Sequence, residues 1–175
     1  MKVVVVYKSI SGFTKKYAEW IAEALKADIF KQEEINMNRL LEYDIIIYGG
    51  SLHAVGITGV NIIRKNVRQL KNKNIIIFVT GASPFTEEIV DEIKQKNFKE
   101  EEQKYIKLFY FRGGFNFNKL NFTNKIIMTL FKWKLQSKRD KTPEEQGMLA
   151  AYSKPVDFTK KQNIKELTAY VDSLI

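Results

Sequence analysis

The chain of 175 residues has no cysteine, three prolines and a single histidine. Without cysteine there can be no disulfide, no thiolate nucleophile and no cysteine-held metal or iron–sulfur centre. Any redox chemistry must therefore come from a bound cofactor. Long apolar runs are missing too: none approaches the ~20 residues that cross a bilayer, and the N-terminal segment reads as a strand with no signal-peptide pattern. A cytoplasmic location is the expectation. Neither the triphosphate loop G-x-x-x-x-G-K-[ST] nor the dinucleotide fingerprint G-x-G-x-x-G occurs.

What the chain does have is a run of four valines, Val3 to Val6, that breaks at Ser9-Ile10-Ser11-Gly12-Phe13-Thr14. Consecutive β-branched residues suit a strand covered on both faces, as in parallel sheets. Tyr17, Trp20, Ile21, Ala24 and Leu25 then recur at helical spacing, which predicts a helix starting near Phe13. The loop between them sits at a helix N-terminus, where unpaired N–H groups and the positive dipole end favour an anion. Ser9, Ser11 and Thr14 add hydroxyl donors without bulk.

Further strands are predicted at Asp28 to Phe30, Tyr43 to Tyr48, Asn74 to Thr80 and Tyr105 to Phe111. Between them, Val60, Ile63, Val67 and Leu70 mark a helix, and another runs from Thr86 to Lys96. Ile164, Leu167, Val171 and Leu174 line a C-terminal helix. This alternation predicts one α/β domain over residues 1–175, a doubly wound parallel sheet with helices on both faces. Ligands of such sheets bind beyond the carboxyl ends of the strands. Three loops poor in bulky residues converge there: Ser9 to Thr14, Ser51 to Gly59 and Thr80 to Pro84.

Gly49-Gly50-Ser51-Leu52-His53 lacks the second glycine of a nucleophile elbow, and its histidine is too close in sequence to serve as a triad base. A receiver-type phosphoacceptor needs an aspartate at the end of the third strand, whereas Asp44 stands at its start. No metal-binding set is evident. His53 is the one side chain that titrates near neutral pH.

Eight basic residues and one acid, Asp140, lie between Arg112 and Lys141, which holds most of the formal net charge of +9. Within that stretch Ile126, Ile127, Leu130, Phe131 and Leu135 share a helical face among Lys125, Lys132, Lys134 and Trp133. Two readings stand: a basic amphipathic helix on an anionic membrane surface, or an excursion whose apolar face packs on the domain. No RNA-binding motif accompanies the charge, and nucleic acid is not expected as a partner.

The spacing [ST]-x-[ST]-G-x-T directly after the first strand resembles the phosphate loop of the flavodoxin superfamily. That resemblance implies FMN and a five-stranded sheet in the order 2-1-3-4-5. It assigns the phosphate to Ser9, Ile10, Ser11, Gly12, Phe13 and Thr14, and the flavin ring to Ser51, Leu52, His53, Ala54 and Val55 with Thr80, Gly81, Ala82 and Ser83. Electron-carrier flavodoxins often enclose the ring between aromatics. Here the loops offer none, and a more open flavin face is expected.

The order Phe111-Arg112-Gly113-Gly114-Phe115, then Lys125 to Lys132, then Val156-Asp157-Phe158-Thr159 resembles the flavodoxin-domain group that includes quinone-dependent protoporphyrinogen IX dehydrogenases. In that group FMN carries electrons from a porphyrinogen to a membrane quinone, and an insertion, here about 113–157, separates it from simple flavodoxins. The resemblance implies an FMN-dependent oxidoreductase; from its own charge and apolar spacing, the stretch Lys119 to Lys141 is expected to touch an anionic membrane from its inner face or an acidic redox partner. A general NAD(P)H or quinone reductase and a non-enzymatic electron-transfer module remain the alternatives.

Overall fold

Val3 to Val6 sit at the centre because their alternating side chains feed two different layers. Val4 and Val6 pack with Ile46, Tyr48, Ile75, Ile77, Val79, Leu40, Ile63 and Ile93 on one face. Val3 and Val5 pack with Ile45, Ile47, Ile76, Phe78, Tyr17, Ile21, Leu167 and Val171 on the other. Each such side chain, fully removed from water, contributes about 1.5–3 kcal/mol.

The computed structural model describes residues 1–53, 56–120 and 122–175. The elements in chain order are β1 (Val3–Lys8), α1 (Phe13–Leu25), β2 (Asp28–Lys31), α2 (Met37–Leu40), β3 (Ile45–His53), β4 (Gly56–Ile57), α3 (Asn61–Arg64), β5 (Asn74–Gly81), α4 (Glu87–Asn97), α5 (Glu100–Gln103) and β6 (Ile106–Arg112). There follow β7 (Gly114–Phe115), α6 (Phe122–Ser137), α7 (Pro143–Ser153), β8 (Val156–Asp157) and α8 (Lys165–Asp172). The five long strands are parallel in the order β2-β1-β3-β5-β6, the doubly wound order expected from the sequence.

Two local expectations need correcting. The short β4 folds back antiparallel on the end of β3, pairing Leu52 with Ile57 and His53 with Gly56, so part of the supposed open loop is a ribbon. The helix predicted over 60–70 is regular only at Asn61–Arg64. Val60, Ile63, Val67 and Leu70 are nevertheless all buried, through a succession of turns that keeps them on one side.

The stretch 113–157 is a distinct excursion. It leaves the sheet after β6 and returns beside its own start, because β7 and β8 pair antiparallel through Gly114–Asp157 and Phe115–Val156. Its small core is Phe115, Ala151 and Tyr152, with Leu120, Met128, Met148 and Ala82 packed around them. The turn between α6 and α7 is fixed by a capping box. The Thr142 hydroxyl accepts from the Glu145 N–H, and the Glu145 carboxylate accepts from the Thr142 N–H while pairing with Lys138 at 2.8 Å.

Where the excursion rejoins the sheet, the buried Tyr17 of α1 acts as a clasp. Its hydroxyl donates to the Arg112 carbonyl at 2.8 Å and accepts from Asn163 Nδ2 at 2.8 Å and the Lys160 N–H at 3.3 Å. Replacing Tyr17 by Phe keeps the ring and strands these buried groups, so Tyr17→Phe is expected to cost about 1–3 kcal/mol in urea unfolding. An unchanged midpoint would show that the clasp is dispensable.

Candidate functional site

Gly12 determines how α1 begins. Its φ of 96° is a left-handed conformation that side-chain-bearing residues adopt at a cost. It leaves α1 with no side-chain cap and no acid in its first turn. The first N–H groups of α1 are therefore turned toward an open loop, the arrangement that receives an anion. Ser9 shapes this loop rather than capping the helix, its Oγ accepting from the Gly12 N–H at 3.1 Å.

At the C-terminal ends of β1, β3 and β5 lies a cavity of about 370 Å³, a size in the range of small-molecule sites. All three sequence loops reach it: Ile10 and Ser11 from the first, Ser51, Leu52 and His53 from the second, Thr80, Gly81 and Ala82 from the third. Ala54 and Val55 fall outside the described residues. A larger hollow of about 760 Å³ lies between the segment of α3 and the end of α4 with α5, lined by Arg64, Lys65, Lys96 and Lys104 with Val67, Phe98 and Tyr105, and none of the three loops reaches it.

Not every residue singled out from the sequence faces the cavity. Thr14 is buried, and its hydroxyl lies 2.7 Å from that of Thr80, tying α1 to β5 and leaving it engaged within the protein. Ser83 contributes a backbone carbonyl that accepts from the Tyr110 hydroxyl at 2.7 Å. Burial pushes the Tyr110 phenol up to about 12, so this bond persists across the physiological range. The ring of Phe13 packs beside Gly114, where an added Cβ would lie 2.7 Å from it and 2.2 Å from the Val156 carbonyl. Phe13 thus seats the start of the excursion.

The far wall was missed by sequence reasoning. Gly113, Gly114, Phe115, Leu120, Ile127, Met128 and Met148 of the excursion close over the strand ends. The open face expected from the loops alone is therefore roofed, by aliphatic and thioether side chains together with Phe115. One signal was available: Gly113-Gly114 follows a strand end just as the small residues of the other loops do. Arg112 holds this roof down, its Nε donating to the Ala82 carbonyl at 3.2 Å while its guanidinium stacks 3.8 Å over the Phe158 ring. The Gly113 N–H donates to the Gly81 carbonyl at 2.7 Å.

His53 stands at the end of β3 on the cavity wall, with part of its surface exposed. The strand paired with it, β4, is held by α4: the buried Asn97 accepts from the Ile57 N–H at 2.9 Å and donates to the Ile93 carbonyl at 2.8 Å. Partial burial pushes the imidazole pKa below the ordinary histidine value, which favours the neutral ring, with one nitrogen donating and one accepting. Among the described residues no cluster of side chains could hold a metal ion.

A doubly wound parallel sheet with a cavity at the carboxyl ends of its strands is the arrangement of α/β proteins that bind a ligand at the switch point. The sequence profile of the flavodoxin domain family matches residues 4–142, and the chain belongs to that family. An uncharacterized protein of Methanocaldococcus jannaschii is 33% identical over 110 residues, 57% of this chain and 70% of the relative. Among solved structures, oxidised flavodoxin 2 of Bacillus cereus is 19% identical with a TM-score of 0.43, covering 64% of this chain and 86% of that one. A flavoprotein of Lactobacillus acidophilus in complex with FMN is 18% identical with a TM-score of 0.41, covering 63% and 91%. Likeness at that level carries no argument about ligand or activity.

Because the folded protein disfavours the charged imidazole, the His53 resonance in an NMR titration is expected to have its midpoint below the unperturbed value of about 6.5. The sign for stability follows. The unfolded chain takes up this proton first on acidification, so His53 disfavours the fold as pH drops through that range. A midpoint at or above the unperturbed value would show that water reaches the ring freely.

Proposed function

We propose that this chain binds FMN in the cavity at the strand ends and works as an oxidoreductase of the group related to protoporphyrinogen IX dehydrogenase. The observation that carries this reading is the pairing of two unlike walls. One is polar backbone and hydroxyls at the uncapped start of α1, and the other is the apolar roof of Leu120, Ile127, Met128 and Met148. A molecule with a phosphate at one end and a flat, largely apolar ring system at the other fits both.

The residues divide the work. The first-turn N–H groups of α1, with Ser11 and the Ile10 backbone, hold the phosphate where the helix dipole favours its charge. Leu52, Gly81 and Ala82 flank the ring on the sheet side, and Met128 and Met148 cover it, their thioethers adapting to its surface. Together they keep water from the reacting face. His53, on the cavity wall, would hydrogen-bond the polar edge of the bound ligand. When bound, FMN supplies the electron transfer itself, through its ring nitrogen N5. The protein contributes no nucleophile.

In this reading a porphyrinogen is the donor, losing six electrons and six protons on its way to the porphyrin, and three quinones are the acceptors, each leaving as quinol with two electrons and two protons. The protein is cytoplasmic and meets its acceptor at the membrane surface. No helix among the described residues is long and apolar enough to cross a membrane.

Titration of the purified protein with FMN is expected to quench flavin fluorescence to saturation. Ser11→Glu places a carboxylate at the phosphate end and is expected to weaken FMN by about tenfold, or ~1.4 kcal/mol, while leaving riboflavin binding unchanged. Equal losses for both ligands would remove the phosphate from this loop. Steady-state turnover with protoporphyrinogen and menaquinone then separates an oxidoreductase from a carrier, since a carrier shows no substrate-dependent rate.

A further inference from the structure

Helix α6 is turned inside out. Phe122, Ile126, Leu130 and Trp133 follow one another at intervals of a helical turn, and Ile127 and Phe131 widen the stripe. All six side chains have between 40% and 79% of their surface exposed. The opposite side, facing α7 and the cavity, carries Met128 and the buried Leu135 but also Asn124, Thr129 and Lys132, whose ammonium stands 5.4 Å from the centre of the Tyr152 ring. An amphipathic helix packed on its own domain shows the reverse distribution. Exposed apolar patches of this kind mark an interaction surface.

The charge around the stripe selects the partner. Lys138 is satisfied by Glu145, but Lys119, Lys125, Lys134 and Arg139 have no acidic partner among the described residues. A second copy of this chain would bring the same basic face against itself. An anionic lipid surface complements both features at once, with apolar side chains in the acyl boundary and lysines among the headgroups. Trp133, amphipathic and exposed, suits that interface.

We propose that α6 lies in the plane of an anionic bilayer with its Phe122–Trp133 stripe immersed, and that the cavity opens into the lipid beside Ile127. Ile127 is the residue that makes the second half of this inference, because it lines the cavity while much of its own side chain is exposed on the stripe. A ligand dissolved in the bilayer thus reaches the cavity along α6 without crossing water. The access route rests on the ligand site proposed above. The docking itself does not.

Co-sedimentation with vesicles of equimolar phosphatidylcholine and phosphatidylglycerol, run with and without FMN, tests the docking apart from the cofactor. The full chain is expected to pellet with these vesicles and not with phosphatidylcholine alone. The triple variant Ile126→Ser, Leu130→Ser, Trp133→Ser is expected to lower partitioning by about tenfold with an unchanged thermal midpoint, since all three residues are exposed. Retained pelleting would reduce the contact to charge alone and overturn the proposal. So would a dimer in sedimentation velocity that this variant abolishes.

Because the chain has no cysteine, Ile127→Cys, Trp133→Cys and Lys71→Cys can each carry a polarity-sensitive fluorophore at one defined place. Emission from 127 and 133 is expected to shift to shorter wavelength on vesicles, and emission from 71, just before β5 at the opposite end of the sheet, to stay put. A shift at 133 without one at 127 would overturn the opening into lipid. FMN binding measured on the same samples shows whether a failure lies in the membrane contact or in the ligand site.

Discussion

A parallel sheet sealed on both faces can present chemistry only where its strands end. That constraint organises this molecule. Val3 to Val6, Ile45 to Ile47 and Ile75 to Ile77 commit their side chains alternately to the two cores, and no polar atom from their middle reaches solvent. The strand ends are where side chains shrink to Ser11, Gly81, Ala82 and Gly113, and there the backbone becomes the reactive surface. The uncapped start of α1 belongs to the same rule. Gly12, held at a φ of 96° that suits only a residue without a side chain, starts the helix without placing any side chain of its own in the loop.

The sheet was legible because burial on both faces leaves a strong mark. Runs such as Ile45-Ile46-Ile47 admit few other readings, and the order of alternation forces the crossovers. The first loop was legible for a related reason, since a break from valines to serines and glycine at a strand end has little structural purpose of its own. Thr14 shows the limit. Its hydroxyl suits an anion as well as it suits Thr80, and only the proximity of two segments 66 residues apart decides between them.

The roof was illegible for a different reason. Met128, Met148 and Leu120 carry no chemical signature, and methionine or leucine in a helix means core far more often than site. Their meaning comes from the fold-back of β7 on β8, a pairing two residues long that leaves no periodic trace. The stripe of α6 was legible as a stripe, with two places left open for it. Its apolar spacing was plain in the sequence, but the face that packs on the domain is the mixed one, and hydrophobicity alone predicts the reverse.

The ribbon of β7 and β8 has a consequence for how such a protein changes over generations. Gly114 stands opposite Asp157 and Phe115 opposite Val156, so everything between them hangs from the sheet by a neck two residue pairs long. A deletion there leaves two chain ends that a tight turn can join. An exchange replaces the roof without disturbing a single strand of the main sheet. Loop-closure entropy grows only slowly with length, and a long excursion at this point costs the fold little more than a short one. The start of α1 is thus held by the contacts of the main sheet, while the roof over the strand ends belongs to a segment that can be exchanged apart from it.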